Sequence, residues 1–278
     1  MSPVTGPSET TVDELVARIG DGCLLALPKP DAGASMAAIR ALIRRGAKGL
    51  RLWCLPAAGL QADLLIGAGC VASIECSGVS LGEFGAAPRF RRAAENGTVR
   101  VVDSTCQAMY ASVQAGEKGM PFVGLRGIIG SDILAHRDDW KTMQNPFAGD
   151  EDPVVVLPAV RPDIALIHAR FRDSLGNLWV GNAREAVVLA HAAHGSVATF
   201  EEHYDGNLLD DERMTAGTIA PIYVEAAAHA PKGAWPLALP GAYPADRERL
   251  AEYAAAAATE DGFAAWLDRH VLGVGRAA

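Results

Sequence analysis

Short apolar runs of strand length alternate with amphipathic segments along almost the whole chain, and this alternation restricts the fold more than any other feature. A run that is apolar at consecutive positions fits a strand buried on both faces, as in a parallel sheet. Parallel neighbours need a crossover of about a dozen residues or more, most often a helix. Cys23–Leu27, Leu50–Leu55, Val71–Glu75, Thr98–Val102, Val154–Leu157, Ile164–His168, Ser196–Phe200 and Ile222–Ala227 read as strands. Between them, Ser35–Arg45, Ala57–Ile66, Pro88–Glu95, Gln107–Lys118 and Ala183–Ala193 read as helices, and Arg247–Ala257 with Phe263–Leu272 as a closing helical pair. Thr10-Thr11-Val12-Asp13-Glu14-Leu15 has the pattern of a capped helix start, and Gly46 ends the Ser35 helix. The expected class is α/β: an open, mostly parallel sheet with helices on both faces, in a single domain over residues 1–278. Asp132–Asp152 breaks the rhythm. It is polar, with Trp140, Met143 and Pro146 scattered through it, and reads as a long loop without a domain boundary.

Composition narrows the function classes. A chain of 278 residues that is 50% hydrophobic can bury a large core. Its 33 acids outnumber its 25 bases, and no Lys/Arg run interrupts that balance, which argues against a nucleic-acid surface. Five cysteines, an odd number without a Cys-x-x-Cys pair, fit buried reduced thiols better than a disulfide framework or a zinc site. Met1–Thr11 is polar and lacks the basic and apolar stretches of a secretion signal, and no apolar run reaches membrane-spanning length. A cytoplasmic acidic enzyme is expected, with no metal and no permanently bound cofactor.

Standard nucleotide motifs are missing: neither Gly-x-Gly-x-x-Gly nor Gly-x-x-x-x-Gly-Lys-Ser/Thr occurs. His191 and His194 lie three apart in a helical pattern, but two histidines without an acidic partner read as a surface pair. Glu201, Glu202, His203 and Asp205 follow a strand, where a hydrogen-bonded strand end is commoner than a cation site. The densest constellation runs from Arg161 to Leu178: a buried strand containing Asp163, Ala165, His168 and Ala169, a polar crossing, then the turn Asp173-Ser174-Leu175-Gly176-Asn177. In that turn glycine supplies a positive φ and asparagine can bond the local backbone.

This stretch resembles the A subunits of class I coenzyme A transferases, in which a strand Asp-x-Ala-x-x-His-Ala precedes an Asp-x-x-Gly-Asn turn. Further pieces fall in the same order: Met120-Pro121-Phe122, Gly127 to Asp132, Asn145-Pro146-Phe147, Thr199-Phe200-Glu201-Glu202 and Ala230-Pro231-Lys232-Gly233-Ala234-Trp235-Pro236. The likeness extends to the A subunits of ring-cleaving hydrolases of CoA thioesters. It implies a homologous B subunit carrying the catalytic glutamate, a heterotetramer with the active site between the two kinds of chain, and acyl-CoA and carboxylic acid substrates. Two departures stand out. The family's glycine-rich strand exit is here Ala26-Leu27-Pro28-Lys29-Pro30-Asp31-Ala32-Gly33, so prolines remove backbone donors. The serine-bearing loop that faces substrate keeps Ser77 and Ser80 but adds Glu83.

The resemblance implies substrate contacts from Ser77, Ser80, Gly130 and Ser131, and no catalytic residue in this chain. Glu95-Asn96-Gly97 has the letters of the B-subunit nucleophile motif, yet a basic helix runs into it, so a helix end is expected. Glu83 and Asp103 are the fallback acids; a loop acid and a helix cap, respectively, are their bland alternatives. The leading expectation is CoA transfer. Ring-opening hydrolysis, or CoA binding by a decayed site, are the rivals.

Overall fold

The computed structural model describes residues 9–149 and 151–273. Residues 1–8 of the polar amino terminus and Asp150 of the excursion lie outside these. Thirteen strands are described: β1 Glu9–Thr10, β2 Leu24–Leu27, β3 Leu50–Cys54, β4 Val71–Cys76, β5 Arg100–Asp103, β6 Phe122–Leu125, β7 Lys141–Gln144, β8 Pro153–Pro158, β9 Ile164–Asp173, β10 Leu178–Trp179, β11 Gly195–Tyr204, β12 Thr218–Ile219 and β13 Val224–His229. The α-helices are α1 Val12–Ala17, α2 Met36–Arg45, α3 Leu60–Gly67, α4 Pro88–Asn96, α5 Cys106–Glu117, α6 Asp132–Ala135, α7 Arg184–Ala192, α8 Glu212–Thr215, α9 Arg247–Ala256 and α10 Glu260–Leu267.

Eight strands form one parallel path in the order β1-β13-β11-β9-β2-β3-β4-β5, and β10 and β12 add an antiparallel flap beside β9. Period-two alternation splits each strand between two cores. Leu25, Leu27, Leu52 and Leu166 face a layer made by α1, α2, α3 and the closing helices. Ala26, Trp53 and Ala165 face α5 and α7. The chain runs from β2 outward to β5 on one side and from β9 outward to β13 on the other. Order therefore reverses between the neighbours β2 and β9, the place where open α/β sheets form a crevice at strand carboxyl ends.

Local signals decided several boundaries. Thr11 accepts the Glu14 amide while the Glu14 side chain accepts the Thr11 amide, a complete capping box. Gly46 and Gly97 end α2 and α4 in the left-handed conformation, at φ 74° and 65°. Asp63, fully buried on α3, accepts the Phe90 amide at 2.7 Å and the Tyr253 hydroxyl at 2.7 Å, which ties α4 and α9 to α3.

The excursion differs from the expected loop. Residues 132–152 contain α6 and β7, and β7 pairs antiparallel with β8, which pairs with β6 in a separate three-stranded sheet. The Val154–Leu157 run belongs to this small sheet, not to the parallel one. The sequence conceals β7 because all four of its residues are exposed, so no apolar alternation marks it. Arg137 pins the small sheet to the large one. It donates to Glu75 at 2.7 Å, to Asp139 and to the Asp103 carbonyl at 3.0 Å, and lies 4.1 Å from the Trp140 ring centroid. Burial holds the Glu75 carboxyl above its usual range even against Arg137. All five cysteines carry free thiols, four of them buried and Cys106 exposed. Among the described residues, no helix is long and apolar enough to cross a membrane, and no cluster of three or more metal-ligand side chains forms.

Candidate active site

The carboxyl ends of β2, β3, β4 and β5 open onto loops 28–35, 55–59, 77–87 and 103–105, and the segment after β13, residues 230–243, returns over the same end. Two crevices lie here. One, of about 400 Å³, sits at the order reversal beside β2 and β9 and includes Lys29, Gly33, Arg170, Trp179 and Glu185. Lys29 is held there by Glu185 at 3.1 Å. Glu185 also accepts the Tyr110 hydroxyl at 3.2 Å, and burial beside this carboxylate pushes the phenol up to about 12. The other crevice, of about 310 Å³, lies between Pro30, Ala58, Leu60, Ser80, Leu81 and Leu250.

Ser80 lines this crevice, Ser77 follows the end of β4, and both are exposed. Ser77 Oγ lies 3.4 Å from Cys106 Sγ, and Ser80 Oγ accepts the Gly82 amide at 3.0 Å. Reading the motifs gives the expectation that no Gly-x-Ser-x-Gly nucleophile elbow occurs, yet Gly78-Val79-Ser80-Leu81-Gly82 has that spacing. Its context is wrong for that role. An elbow is a tight strand-to-helix turn with a histidine in reach, whereas Ser80 bridges to Ala86 in a loop and bonds its own backbone. Gly130 and Ser131 lie apart, on the turn into α6 in the segment between β6 and β7. Gly130 has φ 81°, and Ser131 Oγ is buried without a hydrogen-bond partner. No hydrogen bond or ion pair among the described residues joins them to Ser77 or Ser80.

The three acids separate cleanly. Glu95 is exposed on the last turn of α4 and pairs with Arg91 one turn back at 2.8 Å. Glu83 lies on a short 3-10 turn, Gly82–Phe84, and both its oxygens take hydrogen bonds from Arg247 of α9 at 2.5 Å. Asp103 ends β5 opposite Cys76, exposed at the mouth. It is not the helix cap: Thr105 accepts the Ala108 amide at 3.1 Å instead, because the strand runs through Asp103 and the helix starts later.

The motifs that carry the resemblance turn inward. His168 is fully buried on β9, with Nδ1 2.7 Å from Thr199 Oγ1 and Nε2 2.7 Å from Glu201 Oε1. Thr199 Oγ1 lies 2.6 Å from Ser35 Oγ. A carboxylate only accepts, so Nε2 carries a proton, and in the neutral imidazole Nδ1 accepts from Thr199, which in turn accepts from Ser35. Glu201 also accepts the Tyr243 hydroxyl and the Lys232 amide, both at 2.5 Å, and the Gly233 amide at 3.0 Å. Burial pushes its carboxyl up, but the bonds from His168 and Tyr243 outweigh it and hold the group below its usual range. Glu201 is thus a saturated internal acceptor rather than a cation ligand, while Glu202 and His203 continue β11 outside the core. Asp173 does the same for the turn. Its buried oxygens accept the amides of Leu175, Asn177 and Leu208 and the Asn177 side chain at 2.7–3.0 Å. His191 packs on Tyr223, whereas His194 lies beyond the end of α7, so the two do not share a helix face.

The parallel sheet thus reverses order at β2 and β9, with the 230–243 segment latched to Glu201. The family model for "Coenzyme A transferase" matches residues 9–207, and the chain belongs to that family. It is 32% identical to the A subunit of the 3-oxoadipate CoA-transferase of Pseudomonas knackmussii, over 95% of this chain and 93% of the relative. It spans only 53% of a 32% identical, uncharacterised chain of Archaeoglobus fulgidus. Among solved structures, glutaconate coenzyme A-transferase from Acidaminococcus fermentans superposes with a TM-score of 0.89 at 26% identity, covering 96% of this chain and 89% of that one. The decarboxylase AibA/AibB superposes at 0.85 with 31% identity, covering 95% and 98%.

Proposed function

We propose that this chain is the A subunit of a two-subunit enzyme that moves coenzyme A between an acyl-CoA thioester and a carboxylic acid. The nucleophile is a glutamate of the homologous B subunit. That carboxylate attacks the thioester carbonyl, giving an acyl-glutamyl anhydride and CoA thiolate. The thiolate then attacks the glutamyl carbonyl, releasing the first acid and leaving a glutamyl-CoA thioester for the acceptor acid. A carboxylate is a modest nucleophile, so the reaction needs a water-poor pocket and donors at the developing oxyanion. This chain contributes pocket wall from the loops after β2, β3 and β4.

The observation that carries this reading is how three of the chain's own acids are placed. Glu95 is spent on a helix end away from the mouth, Glu83 is clasped by Arg247, and Glu201 is saturated inside the protein. The test is reconstitution with the B subunit. Transfer requires both chains and dies when the B-subunit glutamate is replaced by glutamine, and hydroxylamine traps the glutamyl-CoA. Transfer by this chain alone overturns the reading.

The 31% identity to a decarboxylase over nearly its full length supports a second reading, decarboxylation on the same scaffold, and the resemblance to ring-cleaving hydrolases adds ring-opening hydrolysis as its variant. Asp103, the exposed acid at the end of β5, is then the in-chain base. Carbon dioxide release or net water addition that Asp103→Asn abolishes would favour it over transfer.

A further inference from the structure

The crevice of about 310 Å³ beside the Ser80 loop bears on which acyl group is taken, an inference that rests on reading the chain as part of an acyl-CoA enzyme. Its walls are apolar: Pro30, Ala58, Leu60, Leu81, Leu237 and Leu250. The polar exceptions are Ser80 and Asp31, and no lysine or arginine is among the residues that line it. Ser80 Oγ is turned back to its own loop, accepting the Gly82 amide.

The cations that approach the rim are already engaged. Gly82 lines the crevice and precedes Glu83; Leu250 lines it and follows Arg247 by one helical turn. The Glu83–Arg247 pair therefore spans the rim. Both guanidinium η nitrogens meet both carboxylate oxygens at 2.5 Å, and the guanidinium lies 5.8 Å from the Phe84 ring centroid. On the other side Lys29 is held by Glu185 at 3.1 Å and by Asp31 at 3.7 Å.

We propose that this crevice receives acyl chains without a second carboxylate, and that Glu83 enforces the choice by occupying Arg247. A terminal carboxylate placed here loses water without gaining a counter-charge, and Asp31 repels it. To reach Arg247 it must displace a carboxylate tethered in place at high effective concentration. Glu83 is then a specificity residue of the acyl site, with its role set by what it denies to the substrate.

Valeryl-CoA and glutaryl-CoA match in chain length and differ by a terminal carboxylate. Their affinities for the reconstituted two-chain complex, measured by calorimetry, are compared with their transfer rates. The wild-type complex binds valeryl-CoA about tenfold or more tightly than glutaryl-CoA. Glu83→Gln frees Arg247 and moves the ratio toward glutaryl-CoA by about three- to fivefold, the scale of one solvent-exposed ion pair, and adding Arg247→Gln removes the shift. A wild-type preference for glutaryl-CoA, or a ratio unmoved by Glu83→Gln, overturns the inference. Selective binding of valeryl-CoA without any transfer upholds it and sinks the transferase reading. Efficient transfer from glutaryl-CoA in preference does the reverse.

Discussion

Glu201→Gln changes one atom of the chain and puts the internal latch to a quantitative test. Oε1 of Glu201 meets three donors, from His168, Tyr243 and Gly233, and Oε2 meets the Lys232 amide. An amide side chain has one acceptor oxygen. Placed in the Oε1 position, it leaves its NH2 facing the Lys232 N–H, two donors head to head in a buried site. Leaving a buried donor unsatisfied costs about 1–3 kcal/mol, and three bonds that lose their charged acceptor add to that. The total is about 3 kcal/mol. Lys232 sits at φ 56°, a left-handed conformation that a non-glycine residue keeps only when its surroundings hold it, so the 230–243 segment should loosen as well. Thermal unfolding of the variant should show Tm lowered by about 6–12 °C, and limited proteolysis should open the 230–243 segment first. The pH dependence carries a second readout. The folded Glu201 carboxyl lies below its ordinary value, so its stabilisation is complete above the ordinary glutamate range and drains away as pH falls through the folded value. The wild-type and variant stability curves should therefore converge on acidification. A Tm change under about 2 °C, or curves that stay parallel into acid, would refute the latch.

Three further outcomes are expected. Glu95→Gln should leave transfer by the reconstituted complex nearly unchanged and cost under about 0.5 kcal/mol, because the Arg91 pair is an exposed helical one; a loss of several orders of magnitude in kcat would show that the nucleophile lies here after all. Tyr253→Phe removes one of the hydrogen-bond donors to the buried Asp63 carboxyl and should destabilise the chain by about 1–3 kcal/mol in urea unfolding. Gly33→Ala should abolish soluble expression, since a Cβ there collides with the His168 carbonyl oxygen and the position has φ 82°; a soluble variant with native circular dichroism would contradict that geometry.

Much of the scaffold was readable because it rests on short-range rules. Strand runs such as Leu24–Leu27 and Ile164–Ile167 are apolar at consecutive positions because both faces are covered, and Gly46 and Gly97 end helices for steric reasons that hold in any context. The site was less readable. Ser80 lines a crevice at the carboxyl end of the sheet and Glu83 lies beside it, whereas Gly130 and Ser131 lie on the turn into α6, in a segment whose strand β7 shows no apolar period. The motif Asp-x-Ala-x-x-His-Ala carried the resemblance, and its His168 is fully buried and holds Glu201. The letters of a motif do not say which side of a strand they occupy; one step of register moves a side chain from core to solvent.

By itself the sequence determined the class of fold, the helix ends and the family, because these depend on periodicity, turn chemistry and the order of local motifs. The tertiary structure alone decided which charges meet. Glu83 and Arg247 are 164 residues apart and Glu201 and Tyr243 are 42 apart. Such pairs form only after parallel strands have chosen neighbours and the closing segment has returned over their carboxyl ends, and local spacing carries no record of that choice.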